Sequence, residues 1–507
     1  MSLTRIAEIV GGRLADIAPD EAAATRVTGT VEFDSRAVTP GGLFLALPGA
    51  RSDGHDFAAA AVAAGAAAVL AARPVGVPAI IIDPADPAPQ PGSGGTAGVL
   101  EHDTDGSGAA VLAALAKLAA AVAAELVAGG LTIVGITGSS GKTSTKDLIA
   151  AVLAPLGEVV APPGSFNNEL GHPWTVLRAT PSTDYLVLEM SARHPGNIAA
   201  LAAIAPPSIA VVLNVGTAHL GEFGSREAIA ATKSELPQAV PASGVVILNI
   251  DDPVVAGMAD KTAARVVRVG RTSDASVADV RADDIVLDPL ARPAFTLHAG
   301  AAHVAVSLAV HGDHQVSNAL CAAAVALECG AGLDQVAAAL GTAGPASRQR
   351  MQVSTRADGV TIVNDAYNAN PDSMRAGLKA LAWMSRGGAP KHRSWAVLGE
   401  MAELGDDAIS EHDRIGRLAV RLDVSRLIVV GTGRPMSAML HGAVMEGSWG
   451  SEATAVADAD SALELLRAEL RAGDVVLVKA SNSAGLGALA DALVEDPGAD
   501  VSGEGGG

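Results

Sequence analysis

Residues 131–146, LTIVGITGSSGKTSTK, restrict what this chain can fold into more than any other stretch. Residues 131–136 are mostly apolar or β-branched and predict a short buried parallel strand. Gly138-Ser139-Ser140-Gly141-Lys142-Thr143 then turns the chain into a helix predicted over 144–153. A strand, a glycine-rich turn and a helix opening on Lys-Thr make a phosphate cradle. The glycines let backbone N–H groups converge on an anion, and the helix N-terminus adds partial positive charge. Lys142 is placed to reach the terminal phosphates and the Thr143 hydroxyl to reach a magnesium ion. The general pattern has four residues between its glycines; here two separate Gly138 from Gly141, and five separate Gly135 from it. With the strand before and the helix after, the stretch implies a nucleoside triphosphate.

Length and composition narrow the setting. At 507 residues the chain has room for about three domains. A formal net charge of −20 opposes both a nucleic-acid surface and an anionic membrane. Cys321 and Cys329 lie eight positions apart in an alanine-rich run without metal-ligand companions, as expected of reduced cytosolic thiols. The first ten residues carry Arg5 and Glu8 within an apolar pattern and predict an amphipathic helix, not a signal peptide. Residues 109–128 are apolar but rich in alanine and broken by Lys117 and Glu125, so a soluble helix is expected there, with no membrane insertion.

In chain order, 1–83 predicts a small α/β unit with strands at 27–34 and 43–47 and a helix at 57–64. Residues 84–108, rich in Pro, Gly, Ser and Asp, predict a linker insertion. From 109 to 342, helices alternate with apolar runs at 185–188, 209–213, 245–250 and 266–269, the pattern of a doubly wound sheet. After Gly344-Pro345 a third unit, 343–495, repeats that alternation with strands at 360–364, 395–398, 427–430 and 475–479, and predicts a second, Rossmann-like doubly wound sheet. Gly431-Thr432-Gly433 lacks the later glycine of a dinucleotide fingerprint and predicts a helix-entry turn. Residues 496–507 predict a disordered tail.

Three polar strand ends in the central unit are candidates for chemistry. Glu189 ends a buried strand, where a nucleotide-binding sheet holds an acid for the metal on the phosphates. His219 follows another strand across a short turn, at a sheet edge where it could ligate a second metal. Lys233, from its surroundings alone, is an ordinary helix lysine. Arg36, Arg51 and His55 in the first unit, read alone, are ordinary surface residues. In the third unit, 361–374 runs from a strand into a loop with Asp365, Tyr367, Asn368 and Asn370 before Pro371 opens a helix. That density of hydrogen-bonding groups at a strand's C-terminal end predicts a ligand site.

TGSSGKTSTKD, FNNELG, VLEMSARHPG, NVGTAHLGEFGS, TKSEL, GDHQVSNALCAAAVAL, NDAYNANPDSM, VLGEMAELGD and VLVKAS occur here in the order found in the Mur ligases. The chain is therefore identified as resembling that family of ATP-dependent amide ligases of peptidoglycan precursors, whose phosphate loop has this short spacing. NDAYNANPDSM and VLGEMAELGD look like the member that joins D-alanyl-D-alanine to a UDP-N-acetylmuramoyl-tripeptide. The resemblance implies three α/β domains: 1–108 binding the UDP substrate, 109–342 binding ATP, and 343–495 completing the ligase. It implies ATP on Gly138, Ser139, Ser140, Gly141, Lys142 and Thr143, adenine near His314 and Asn318, and Arg350 and Asp365 reaching over. It implies magnesium held by Thr143, Glu189, His219 and a Lys233 carbamylated by CO₂. It implies the peptide near Asn167, Asn168 and Ser191, the uridine diphosphate near Ser35 and Arg36 with Arg51 and His55 close by, and the dipeptide near Tyr367, Asn368 and Asn370. Where the family commonly has Lys-Gly-Ser-Arg, this chain has Lys479-Ala480-Ser481-Asn482, so no role of that arginine carries over. A monomer acting in the cytoplasm is expected. A folylpolyglutamate synthase would share the phosphate loop without needing a uridine-diphosphate site. A P-loop kinase or nucleotide switch would share it without ligase activity.

Overall fold

The computed structural model describes residues 1–84, 100–162, 164–216, 220–387, 392–448, 450 and 452–495. The 85–99 part of the expected insertion and the expected tail, 496–507, lie outside them. The first unit is a five-stranded sheet of β1 (Arg13–Ala15), β2 (Val31–Glu32), β3 (Leu43–Leu45), β4 (Ala68–Ala71) and β5 (Ala79–Ile81). Its order is β1-β5-β4-β3-β2, with β1 antiparallel to β5 and the rest parallel. The strand expected over 27–34 shrinks to β2. Thr28 and Gly29 give their N–H groups to the Gly41 carbonyl, and the Thr30 N–H goes to the Thr39 hydroxyl, so these amides serve a loop and not a ladder. The N-terminal helix forms as expected over Leu3–Val10, capped by the Ser2 hydroxyl and ended by Gly11 at φ 73°.

The apolar stretch becomes the helix Ser107–Ala128, long and apolar enough by length and composition to cross a membrane. In the fold one of its faces is filled by protein. Val111, Leu112, Leu115 and Leu118 pack with Leu3, Ile6 and Val10 of the first unit, while Ala119 and Ala123 enter the core of the second. Lys117 donates from Nζ to the Val10 carbonyl at 3.3 Å, which places its charge at the negative end of the N-terminal helix.

The second unit is a nine-stranded sheet: β6 (Thr132–Thr137), β7 (Val159–Val160), β8 (Tyr185–Glu189), β9 (Ile209–Val212), β10 (Val245–Asn249), β11 (Arg265–Gly270), β12 (Val280–Leu287), β13 (Pro293–Ala299) and β14 (Ala302–Ser307). The order is β14-β13-β12-β11-β10-β9-β6-β8-β7. Along β6, β8, β9 and β10, successive apolar residues face opposite sides. Val134, Val187, Val211 and Ile247 enter one core, and Ile133, Leu188, Val212 and Leu248 the other. Both faces are apolar, so helices must cover both, which is the doubly wound arrangement expected. The chain leaves β6 to one side for β7 and β8 and returns on its other side for β9 and β10. The end of β6 is therefore the switch point where such sheets bind ligands. The sequence reading missed β7 and β12–β14; β12 runs parallel to β11, and β13 and β14 extend the sheet as antiparallel strands.

The third unit is a six-stranded sheet of β15 (Gln352–Thr355), β16 (Thr361–Asn364), β17 (Ser394–Leu398), β18 (Arg426–Val430), β19 (Ala453–Val456) and β20 (Val475–Lys479), in the order β15-β16-β20-β17-β18-β19. The four expected strands form; β15 and β19 were not foreseen. β20 lies between β16 and β17, so the loops after these three strands sit side by side at the second switch point. The third unit closes against the second. Trp383 Nε1 donates to the Asp288 carbonyl at 2.8 Å, Arg193 pairs with Glu403 at 2.8 Å, and Ala291 of the β12–β13 turn is buried in the third unit's core.

Candidate active site

The loop after β6 is shaped by its neighbours. Asn214, just past β9, accepts through Oδ1 from the Ser139 and Ser140 amides at 3.0 Å each and returns Nδ2 to the Ser140 carbonyl at 3.1 Å. Gly141 opens the helix Lys142–Leu153 at φ 84°, and a Cβ there would stand 2.8 Å from Asn318 Oδ1. Only glycine fits both the left-handed backbone and that approach. Lys142 Nζ donates to the Gly138 carbonyl at 2.8 Å, folding over the loop. Burial pushes its pKa down, with the nearby Arg350 adding to the effect and Glu189 opposing it.

Around this loop the expected polar groups gather. Glu189 at the end of β8 is 2% exposed. Its Oε2 accepts from Ser165 Oγ at 3.2 Å and Asn167 Nδ2 at 3.3 Å, while Oε1 is buried with no hydrogen-bond partner. Asn167 Oδ1 accepts from Ser191 Oγ at 2.9 Å, and Asn168 Oδ1 accepts from the Gly171 amide at 2.9 Å. Lys233 ends the helix Arg226–Lys233 and is 6% exposed. Burial, reinforced by the charge of Lys142, drives its pKa well below the lysine range. A buried carboxylate oxygen without a partner is a donor that a hard cation would complete, and Thr143 and Lys233 are buried as well. Among the described residues no cluster of three His, Cys, Asp or Glu stands ready as a metal site. His219 lies outside the described residues.

His314 precedes the helix Gln315–Glu328, its ring packed over Gly312, where a Cβ would come within 2.5 Å of it. Burial lowers its pKa and the charge of Asp365 from the third unit opposes that, so the two units meet over this histidine. Arg350 lies with its guanidinium 4.2 Å from the centre of the Tyr367 ring. Asp365 accepts from the Met351 amide at 3.1 Å and from Lys479 Nζ at 2.6 Å.

One cleft of about 1380 Å³ is lined by Ser139 to Thr143, Asn167, Asn168, Ser191, His314, Asn318, Arg350, Asp365, Tyr367, Asn368 and Asn370. That volume exceeds the roughly 300–1,000 Å³ that suits one ligand, so the cleft has room for more than one. Four expected residues behave differently. The Asn370 side chain caps the helix Pro371–Arg386, accepting from the Ser373 amide at 2.9 Å, so its carbonyl oxygen is engaged. Arg36 forks onto Asp34 at 2.9 and 2.7 Å, and neither it nor Ser35 lines the cleft. His55 is a buried structural histidine. One ring nitrogen meets Asp53 at 2.6 Å and the other accepts from the Ala72 amide at 3.1 Å, leaving nothing for an anion. Asn214 and Lys479 were missed as site residues. Both end apolar strand runs with a single polar group, which is the signal that marked Glu189.

The chain and its fold have counterparts among known proteins. The description "Mur ligase family, catalytic domain" matches residues 29–92, "Mur ligase middle domain" 136–326, and "Mur ligase, glutamate ligase domain" 349–482. The chain is 75% identical to UDP-N-acetylmuramoyl-tripeptide–D-alanyl-D-alanine ligase of Mycobacterium tuberculosis, over 98% of both chains. To the Escherichia coli ligase of the same name it is 34% identical, over 98% of this chain and 99% of the other. A crystal structure of MurF from Acinetobacter baumannii superposes with a TM-score of 0.79 at 28% identity, covering 98% of this chain and 99% of that one. MurF ligase from Thermotoga maritima, solved in complex with ADP, superposes with a TM-score of 0.72 at 27% identity, covering 93% and 98%. By its three matched domains, its full-length relatives and its phosphate loop, the chain belongs to the Mur ligase family.

Proposed function

We propose that this chain is an ATP-dependent ligase that joins D-alanyl-D-alanine to a UDP-N-acetylmuramoyl-tripeptide in peptidoglycan precursor synthesis. The observation that carries the reading is one shared cleft, lined both by the phosphate loop of the second unit and by the 365–370 loop of the third. Full-length identity of 75% to a ligase of that name supports it. A terminal carboxylate oxygen of the tripeptide attacks the γ-phosphorus, the bond to the β-phosphate oxygen breaks, and ADP leaves. The dipeptide amine then attacks the acyl carbonyl, loses a proton, and expels phosphate carrying the carboxylate oxygen. Carboxylate and triphosphate repel each other, so the site must neutralise charge before either step. Lys142 and the amides of Gly141 to Thr143 hold the phosphates, and Arg350 brings a further cation from the linker into the third unit. Thr143, Glu189, His219 and a carbamylated Lys233 would hold magnesium, which when bound screens the transferring phosphoryl group. Asn167, Asn168 and Ser191 would orient the tripeptide, and Ser35 and Arg36 its uridine diphosphate. Dependence on ATP supports a cytoplasmic location.

The test is the fate of oxygen. With ¹⁸O in the tripeptide's terminal carboxylate, the phosphate released in the presence of ATP and dipeptide is expected to carry the label. Unlabelled phosphate means that water attacks ATP and the ligase reading fails.

Acceptor choice gives a second expectation. Tyr367 and Asn368 line the cleft with a phenol and an amide; Asn368 Oδ1 is held by the Ala369 amide at 2.8 Å, which leaves the phenol and the Nδ2 hydrogens to read a peptide carbonyl and a carboxylate. Single D-alanine lacks the peptide bond and leaves those polar groups unpaired, so its kcat/KM is expected about a hundredfold or more below that of D-alanyl-D-alanine. Equal values for the two acceptors would refute the assignment of this loop.

A further inference from the structure

Lys479 is 2% exposed at the end of β20, an apolar strand whose other residues are all buried, and the reaction just described gives it no task. Burying an ammonium is costly unless its donors are satisfied, so what it bonds to matters. Its Nζ donates to Asp365 Oδ2 at 2.6 Å, to the Asn368 carbonyl at 2.9 Å and to the Asp365 carbonyl at 3.4 Å. All three acceptors belong to the loop after β16, the loop that carries Tyr367 and Asn368 into the cleft. The surroundings are built to admit this side chain. On the helix Pro371–Arg386, Gly377 faces the stem, and a Cβ there would come within 3.3 Å of Lys479 Cδ and of Leu477 Cδ2. Two positions on, Ser481 extends the tie. It accepts from the Ala402 amide at 2.9 Å and donates to the Ala369 carbonyl at 3.5 Å, joining the loops after β16 and β17 through the loop after β20.

We propose that Lys479 is a positioning residue for the incoming amine substrate: its ammonium clamps residues 365–368 so that Tyr367 and Asn368 meet the dipeptide in one fixed arrangement. The proposal rests on the ligase reading above. All three of its donors are directed at the loop, so it acts through the loop and not on the substrate. An ammonium is a compact point donor with three hydrogens, whereas a guanidinium is a planar fork, so arginine does not replace it in this enclosed corner. The phosphate loop and the tripeptide side chains Asn167, Asn168 and Ser191 make none of these contacts. Loss of the clamp therefore falls on the acceptor.

The experiment is steady-state kinetics of Lys479→Met at saturating ATP, varying dipeptide and tripeptide in turn. The expected result is a dipeptide KM raised about 30-fold or more, with the tripeptide KM within about threefold of wild type. Because Lys479→Met leaves Asp365 buried without its cation, Lys479→Arg, which keeps the charge but not the compact three-donor geometry, is measured alongside. The same split is expected of it. Hydroxylamine trapping of the acyl phosphate, with ATP and tripeptide but no dipeptide, should stay within about fivefold of wild type in a folded variant. Either variant folded with a dipeptide KM within about threefold of wild type, or with the tripeptide KM rising in parallel, overturns the proposal. A wild-type protein that turns over no dipeptide at all overturns the ligase reading, and this proposal with it.

Discussion

Lys142→Met is expected to lower kcat about a thousandfold, a loss of ~4 kcal/mol of transition-state stabilisation. The side chain is half-buried over the phosphate loop, its Nζ already 2.8 Å from the Gly138 carbonyl. In that position it meets the terminal phosphates where negative charge moves from the γ-phosphoryl group to the departing ADP. The water-poor setting that pushes its pKa down also makes its charge act at full strength on a bound anion. Methionine keeps the length and apolar stem of lysine, so the fold around Asn214 and Gly141 should persist and the melting temperature should change little. Lys142→Arg should recover little, because a planar fork does not fit the turn that Gly138 and Gly141 define. Release of ADP with both substrates saturating measures the effect. A kcat within about tenfold of wild type for Lys142→Met would remove this residue from the chemistry.

The part of the fold that the sequence revealed is the part governed by local pattern. A β-branched run, two glycines and Lys-Thr define the first switch point, because each of those residues is demanded by backbone geometry or by phosphate charge. Strands β8, β9, β10, β16, β17, β18 and β20 were legible as short apolar runs, since a parallel sheet covered on both faces leaves no polar position within its strands. β12–β14 were hidden for the opposite reason. The stretches VRADDIVL and AHVAVS mix Arg, Asp and His with valines because part of that extension faces solvent. β2 is shorter than its composition suggests because the Thr-rich run 27–30 looks like a strand, while its amides bond to Gly41 and Thr39.

The site divides in the same way. Residues that end strands at a switch point were found, since position alone marks them. What each side chain does there is a tertiary matter. Asn370, expected to meet substrate, caps a helix; Lys479, legible in sequence only as the first residue of the Lys-Ala-Ser-Asn departure, clamps a loop. His55 and Lys233 illustrate the limit from both sides. Both were ordinary from local sequence. Packing makes one a structural hydrogen-bond bridge and the other a buried amine within electrostatic reach of a second lysine.

That buried amine carries the last expectation: Lys233 works as a carbamate. Two ammonium groups as close as Lys142 and Lys233 repel each other in a buried site, and burial alone favours the neutral form of Lys233. A neutral amine is the form that attacks CO₂. The nitrogen bonds to carbon and one proton is released, so the neutral amine becomes an anion; counted from the ammonium, two protons leave and a positive side chain becomes a negative one. The product offsets the charge of Lys142 and supplies a hard anionic oxygen of the kind a magnesium ion prefers, as Glu189 Oε1 does; a lysine ammonium could offer neither. Lys233→Ala is therefore expected to lose about a thousandfold or more in kcat while nucleotide affinity, read by calorimetry, stays within about fivefold, because Lys142 and the loop amides are untouched. Lys233→Arg should be no better, since it fixes a charge of the wrong sign. Millimolar formate or acetate should partly restore turnover to Lys233→Ala by placing a carboxylate in the vacated space, and wild type should lose activity in CO₂-depleted buffer and regain it with bicarbonate. Near-wild-type activity of Lys233→Arg is the result that sinks the carbamate, because an arginine in that position can hold neither CO₂ nor a cation.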